Sequence, residues 1–361
     1  MHISTKHLTQ GVLSLLLSSA IRAAAHAVSP SRRATVCNGH SELCDRSFAN
    51  VTFVGAHDSY AVGTNNLAAN QDYNVTQQLN DGVRMLQLQA HNSSGVIELC
   101  HTSCILLDGG TLEDYLTKVK TWMDSNPNDV VSLLIVNSDN LAPSLYNAVF
   151  QSAGIDTLAY SPSQASLPAS SWPTLGSLID SGKRLVAFLT TTANFTSVPY
   201  LIDEFSNMWE TAYDLTDATA FDCNVNRSNG DTTTQMFLIN HFLDTIVAGF
   251  PAPDSAQANT TNAVSGVGSL GQQVETCVAQ YGKNPNFMLV DFYEYGNGSV
   301  FQVAATANGV TYDPTTPVAA AGGPTSSSGS NGASGLRITN IHLTASLAVV
   351  GGLLLGSIAI V

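Results

Sequence analysis

Two histidines stand where acid–base chemistry needs them. His57 lies in Phe53-Val54-Gly55-Ala56-His57-Asp58-Ser59-Tyr60 and His101 in Leu99-Cys100-His101-Thr102-Ser103-Cys104, each closing a short apolar run. An imidazole titrates near neutrality, so one such group can take a proton in one step and another can give one back. Other polar residues occupy similar places. His241 falls in Ile239-Asn240-His241-Phe242, Asp291 in Leu289-Val290-Asp291-Phe292, and Gln87 and Gln89 alternate with Leu86 and Leu88. Each has an ordinary structural alternative, since a buried His can be a satisfied hydrogen-bonding group and an Asp after a strand is often a helix N-cap.

These residues converge only if the apolar runs are strands of one sheet. Runs at 51–56, 83–88, 96–100, 130–136, 184–190, 235–239 and 287–292 are rich in Val, Ile, Leu and Phe and read as buried strands. Between them Leu112, Tyr115, Leu116, Val119 and Trp122 recur at helical spacing, and Leu175, Leu178 and Ile179 precede Gly182 as a helix stop. Strands alternating with helices predict a parallel sheet. With no repeat or linker dividing the chain, the expected fold is α/β, a single distorted (β/α) barrel over 28–313. An open doubly wound sheet is the alternative, without a Gly-rich phosphate loop to support it. In a barrel, residues at the C-terminal ends of the strands meet on one face.

The chain ends read as processing signals. Residues 1–27 combine Lys6, an apolar stretch from Val12 to Ile21 and the small-residue exit Ala25-His26-Ala27, the pattern of a signal peptide. Residues 314–342 form a Ser/Gly-rich linker, and 343–361 are apolar to the last residue with no basic cluster after them. Together they predict GPI attachment at Asn331 or its neighbours Ser330 and Gly332, a C-terminal membrane helix being the alternative. The expected location is the extracellular surface or cell wall, on the outer leaflet of the membrane.

Composition agrees with export. The chain has 13 Lys and Arg against 27 Asp and Glu. Lys6, Arg22 and Arg337 fall in the terminal segments, so residues 28–331 carry ten basic against 27 acidic groups, a formal charge of −17. Such a surface repels nucleic acid. Seven Asn-X-Ser/Thr sequons, at Asn50, Asn74, Asn92, Asn194, Asn226, Asn259 and Asn297, are candidate glycan sites. Six cysteines allow fifteen pairings. Nearest neighbours are the expected ones: Cys37 with Cys44, Cys100 with Cys104, Cys223 with Cys277. Zinc on Cys100, His101 and Cys104 competes weakly, because oxidised export favours disulfides.

Taken in order, Gly55-Ala56-His57-Asp58-Ser59, Gly82-Val83-Arg84-Met85-Leu86-Gln87-Leu88-Gln89, Leu99-Cys100-His101, Asn126-Pro127-Asn128-Asp129 and Leu289-Val290-Asp291-Phe292 resemble the phosphatidylinositol-specific phospholipase C X-domain family. The likeness spans roughly residues 48–305 and is strongest to the secreted fungal branch of PLC-like phosphodiesterases. It implies a distorted TIM barrel and a phosphodiester lipid or glycolipid substrate. It makes His57 the general base, His101 the general acid, Asp291 the carboxylate that orients the base, and Asp58 the support of the acid or, in the calcium-dependent branch, part of a metal site.

The departures concern charge. Gln87 and Gln89 stand where the bacterial branch has Asp and Arg and the calcium-dependent branch two carboxylates. Losing one electrostatic clamp typically costs on the order of 10² to 10³ in rate. Arg84 is a further substrate-binding candidate beside Gln87, Gln89 and His241, although strand alternation aims it away from the two glutamines. No metal or other cofactor is expected, beyond weak Ca or Mg binding near Asp58, because hard cations want several charged oxygen ligands. Trp209 could stack on a sugar ring, but an aromatic in an apolar run is more often core. Two functions remain: a surface-anchored phosphodiesterase, and a catalytically impaired barrel kept as a wall or binding protein.

Overall fold

The computed structural model describes residues 33–63, 66–101 and 103–323, which fall within one compact unit. The strands are β1 (Phe53–Ala56), β2 (Met85–Ser93), β3 (Val96–Cys100), β4 (Asp108–Thr111), β5 (Val131–Asn137), β6 (Leu185–Leu189), β7 (Leu201–Asp203), β8 (Met208–Glu210), β9 (Met236–Asn240), β10 (Asp244–Val247), β11 (Phe250–Pro253) and β12 (Phe287–Val290). The helices are α1 (Val75–Asp81), α2 (Leu112–Ser125), α3 (Pro143–Ser152), α4 (Leu175–Asp180), α5 (Glu204–Asn207), α6 (Ala258–Thr261), α7 (Leu270–Tyr281) and α8 (Ser299–Asn308). Eight strands run parallel in the order β7-β6-β5-β2-β1-β12-β9-β8 and curl into a TIM barrel. No ladder joins β7 to β8 among the described residues. The barrel is distorted at that seam, where α5 leads from one edge strand to the other.

Strand parity sorts the side chains into two cores. Phe53, Met85, Leu134, Phe188, Met236, Leu238, Phe287 and Leu289 point inward and fill the barrel. Val54, Leu86, Leu133, Ala187, Phe237, Ile239 and Met288 point outward, beneath helix residues such as Leu116, Val274 and Val300. Gly55 belongs to the inward set, and a Cβ there would lie 2.6 Å from Leu289 Cδ2 and 3.1 Å from Met85 Cβ, so the close approach of β2 and β12 requires glycine.

Six of the seven expected runs are barrel strands. The seventh, 96–100, is β3, which pairs antiparallel with β2 outside the barrel. Its one-sided burial shows why: Ile97 and Leu99 are buried while Val96 is exposed. Ser94 and Gly95 form the turn, both with positive φ, the geometry of a tight two-residue hairpin loop. The three expected disulfides all form, Cys37–Cys44, Cys100–Cys104 and Cys223–Cys277. Residues 319–322, read as linker, are held against the barrel: Tyr73 donates to Ala320 O, and the Ala319 and Gly322 amides donate to Asp81 and Asp72. The signal segment, the GPI attachment region and the apolar tail lie outside the described residues. Among the described residues no helix is long and apolar enough to cross a membrane.

Arg84 corrects the expectation of a substrate contact. It precedes β2, at the end of the barrel opposite the histidines, and bonds Asp129 through Nε (3.0 Å) and Nη2 (2.8 Å) and the carbonyls of Leu79 and Val83. Its guanidinium lies 4.8 Å from the Trp122 ring centroid. Arg84→Ala is expected to lower stability by on the order of 2 kcal/mol, by loss of the partly buried pair and the ring contact. Thermal unfolding measures this, and ligand affinity per folded molecule should be unchanged.

Candidate active site

The site is one layer of the barrel extended past its strand ends. Ala56 pairs with Val290 and with Leu86, and Leu289 pairs with Asn240. Carrying those registers forward sets Phe242, Asp291, His57 and Gln87 side by side. The His57 amide bonds Val290 O at 3.0 Å, which continues the ladder by one residue. The chain then breaks sharply on both strands, for Asp58 (φ 39°) and Phe292 (φ 46°) take left-handed conformations immediately after His57 and Asp291. Such conformations persist only where the surroundings enforce them. Here the Asp58 amide donates to Gln87 Oε1 at 2.6 Å and the Phe292 amide to Asn70 O at 2.9 Å.

His57 is held from several sides. Its Nδ1 lies 2.9 Å from Asp291 Oδ1 and 3.2 Å from Asn70 Nδ2, and Asn70 also donates to both Asp291 oxygens at 3.1 and 3.2 Å. Phe242 stacks flat on the imidazole, centroids 3.6 Å apart and planes at 7°. Gln71 donates to His57 O and Val290 O, joining the two strand ends. His101 arrives by another route. The β2–β3 hairpin leaves the mouth and returns, and Cys100 at its end brings His101 Nε2 to 3.4 Å from Asp58 Oδ2. That same oxygen is 3.9 Å from His57 Nε2. Gln89 donates to it at 2.9 Å.

The electrostatics separate the two histidines. Burial would lower the proton affinity of His57, but Asp291 and Asp58 outweigh it and hold its pKa up at about 9. Burial and the neighbouring His57 both push His101 down. Asp58 is itself raised to about 6, chiefly by burial. At neutral pH the resting pair therefore carries its proton on His57.

Both histidines, Gln87 and Gln89 line a cavity of about 300 Å³, which brings together the catalytic and glutamine positions expected from the sequence. His241 corrects the expectation. It follows the outward parity of Phe237 and Ile239, is fully buried, and has Nδ1 2.7 Å from Gln273 Oε1 and Nε2 2.8 Å from Thr261 O. Burial lowers its pKa to about 4. Its neighbours Asn240 and Phe242, one residue to either side, are the ones that reach the cavity. Trp209 is core as well, fully buried and stacked on Phe237 at 4.6 Å.

The far wall of the cavity was missed by sequence reasoning. It holds Glu204, Glu210, Tyr213, Asp214, Arg227 and Asp244. Arg227 bonds Glu210 and lies 4.6 Å over the Tyr213 ring. Burial raises Asp244 to about 7 and raises Glu204 well above the usual range, with Glu210 beside it adding to the effect. These residues sit on elements of three or four residues (Glu204 on α5, Glu210 on β8, Asp244 on β10) and on loops, too short for periodicity to mark; only parity around Asn240 and Phe242 could have pointed to part of the wall. As for metals, Gln87 Oε1 is committed to the Asp58 amide, and Asp58 Oδ2 faces donors, an arrangement that does not fit a hard cation. Among the described residues the one three-member group of ligand types is Glu98, Cys100 and Cys104, and its two sulfurs are joined in a disulfide.

The model of the PI-PLC X family (PI-PLC X 1) matches residues 43–308. The chain belongs to that family. It is 46% identical over 287 residues to an uncharacterized secreted protein of Arthroderma benhamiae, covering 77% of this chain and 65% of that protein. The chain thus spans slightly less than two thirds of that relative's length. It is 44% identical over 284 residues to PI-PLC X domain-containing protein 1 of the same organism, covering 78% of this chain and 92% of the relative. Among solved structures, a variant of the phosphatidylinositol-specific phospholipase C from Staphylococcus aureus aligns with TM-score 0.52 at 14% identity, over 79% of this chain and 99% of that one. A likeness at that identity establishes the fold alone.

The proton distribution is directly measurable. In an NMR titration His57 should titrate near pH 9 and His101 below the usual imidazole range. Asp291→Asn should bring His57 down, because the carboxylate that opposes burial is gone.

Proposed function

We propose that this PI-PLC X family protein cleaves a phosphodiester joining a polyol head group to a lipid or glycolipid. The substrate's own hydroxyl attacks phosphorus, the bond to the lipid alkoxide breaks, and a cyclic phosphate forms. His57 takes the hydroxyl proton and His101 gives one to the departing oxygen. The observation that carries this reading is that both Nε2 atoms approach one oxygen, Asp58 Oδ2, at the mouth of one cavity. They are close enough to straddle a phosphoryl group.

The resting proton on His57 is the state that the first transfer leaves behind. It is also the starting state for hydrolysis of a cyclic phosphate, in which His57 acts as acid and His101 as base. The pair holds one proton throughout, so its titration limits belong to the pair. The carboxyl-rich far wall supports a head group of neutral hydroxyls and disfavours one bearing further phosphates. Exposed Ile105 and Leu106 beside His101, and Phe250 beside the cavity residue Pro251, support a lipid-borne substrate. The disulfides, the relative named as secreted and the terminal segments support an extracellular, GPI-anchored protein on the outer leaflet. All seven sequon asparagines are exposed, which supports glycosylation.

One observation favours a second reading. Arg227, tied to Glu210, is the one Lys or Arg among the cavity-lining residues, which also include four carboxylates besides the two histidines. That balance suits a neutral sugar or polyol that is bound and not cleaved, as in a wall-binding barrel.

Cleavage of an alkyl inositol phosphodiester, whose alkoxide needs a proton to depart, followed by 31P NMR as release of the cyclic phosphate, separates the two. His57→Ala and His101→Ala should each reduce turnover by about 10² to 10⁴, with EDTA leaving the natural chain unaffected; identical traces for all three proteins favour the binding barrel. The rate should follow a bell with pH. It falls on the alkaline side as the pair loses its single proton near pH 9, and on the acid side as His101 takes a second proton below its usual range. Peptide N-glycosidase should lower the mass of the secreted protein, read by mass spectrometry at the seven asparagines.

A further inference from the structure

The two histidines are held very unequally. His57 has Asp291, Asn70 and Phe242 on its ring and Gln71 on its carbonyl. The His101 ring has the Asp58 contact at 3.4 Å, while its Nδ1 is enclosed without a hydrogen-bond partner among the described residues. The loop that carries it offers little anchorage. None of the described residues 101 and 103–106 is buried, and Ile105 is 96% exposed. A turn of this kind is ordinarily fixed by an apolar side chain driven into the core; here the one that is buried, Leu107, lies at the far end of the loop, six residues past His101. At the near end Cys100, fully buried at the end of β3, is bonded to Cys104, closing a ring in which His101 is the first member. Outside the ring, the His101 amide bonds Leu107 O at 3.2 Å.

We propose that the Cys100–Cys104 bridge is a positioning device for the general acid, holding His101 against Asp58 where apolar packing does not. The proposal rests on the reading of His57 and His101 as base and acid. A misplacement of about 1 Å in a catalytic group can cost on the order of 10² in rate, so a short covalent ring is an effective substitute for a packed second layer. Cys104 is also the one cysteine of the six that is not buried. A dithiol can therefore reach this bridge before the others: two electrons pass to the S–S bond, leaving two thiols and the cyclic disulfide of the reagent.

The test compares two leaving groups on the same inositol phosphodiester, an alkoxide, which needs a proton to depart, and p-nitrophenolate, which does not. For Cys100→Ser/Cys104→Ser in the full chain, kcat on the alkyl diester should fall by about 10²-fold, with KM changed by less than about twofold and the p-nitrophenyl rate by less than about threefold. His101→Ala should show the same discrimination, and His57→Ala should lose both rates. Should the double variant not fold, mild dithiol treatment of the natural protein should produce the same signature, reversed on reoxidation. Equal losses on both leaving groups, or no loss, overturn the role of the bridge. If His101→Ala discriminates and the bridge variant matches the natural chain, the bridge proposal alone fails. A natural chain inert on both substrates, or a His101→Ala variant without discrimination, overturns the acid–base reading and this proposal with it.

Discussion

The parallel register of β1 between β2 and β12 is the constraint on which everything at the mouth depends. Pairing Ala56 with both Leu86 and Val290 leaves no freedom for the next residue: His57 must stand between Gln87 and Asp291. A slip of one residue would send His57 to the helix side and leave Asp291 facing apolar neighbours. The register is in turn secured by inward side chains of fixed size, with Gly55 admitting Leu289 and Met85 at distances no larger residue would tolerate. The layer that holds Phe242, Asp291, His57 and Gln87 is therefore the top course of the barrel core.

Upon that layer the site builds an electrostatic asymmetry. His57 is surrounded by oriented partners and carries carboxylates on two sides, so burial fails to neutralise it. His101 reaches the same carboxylate, Asp58, from a hairpin outside the barrel, and among the described residues its Nδ1 has no hydrogen-bond partner. One aspartate shared by two imidazoles of unequal affinity makes the pair a single-proton device. Which ring holds the proton then depends on the charge that enters between them.

The cavity beyond the histidines is polar and acidic. In place of a cation on the second barrel strand there are Gln87 and Gln89, both engaged with Asp58, and the cavity's Arg227 stands on the far wall beneath Glu210. On the proposed reading, the positive charge nearest the phosphorus is the imidazolium itself. This accounts physically for a site that combines an intact acid–base pair with weak electrostatic clamping, and for why cleavage and simple polyol binding are both chemically reasonable uses of the same barrel.

Much of this was legible along the chain because it is local. Continuous apolar runs marked six barrel strands, the polar residues closing them marked His57, Asp58 and Asp291, and the cysteine spacing pointed to all three bridges. Alternation had already aimed Arg84 away from Gln87 and Gln89, and the structure gives it a structural partner in Asp129. What stayed hidden is what depends on pairing partners distant in sequence. His241 looked equivalent to His57 as a residue type, yet outward parity buries it under Gln273 while Asn240 and Phe242 enter the cavity. The run at 96–100 read as a barrel strand, and only its antiparallel return along β2 delivers His101 to Asp58. Asn70, Arg227 and the buried carboxyls come from loops and from a helix and strands of three or four residues, with no periodic signal. Sequence alone determined which side chains were available and which of them share a face within one strand, because those follow from backbone periodicity. Tertiary structure decided which of them share a proton, because that requires a register and a hairpin that close contacts across more than forty residues.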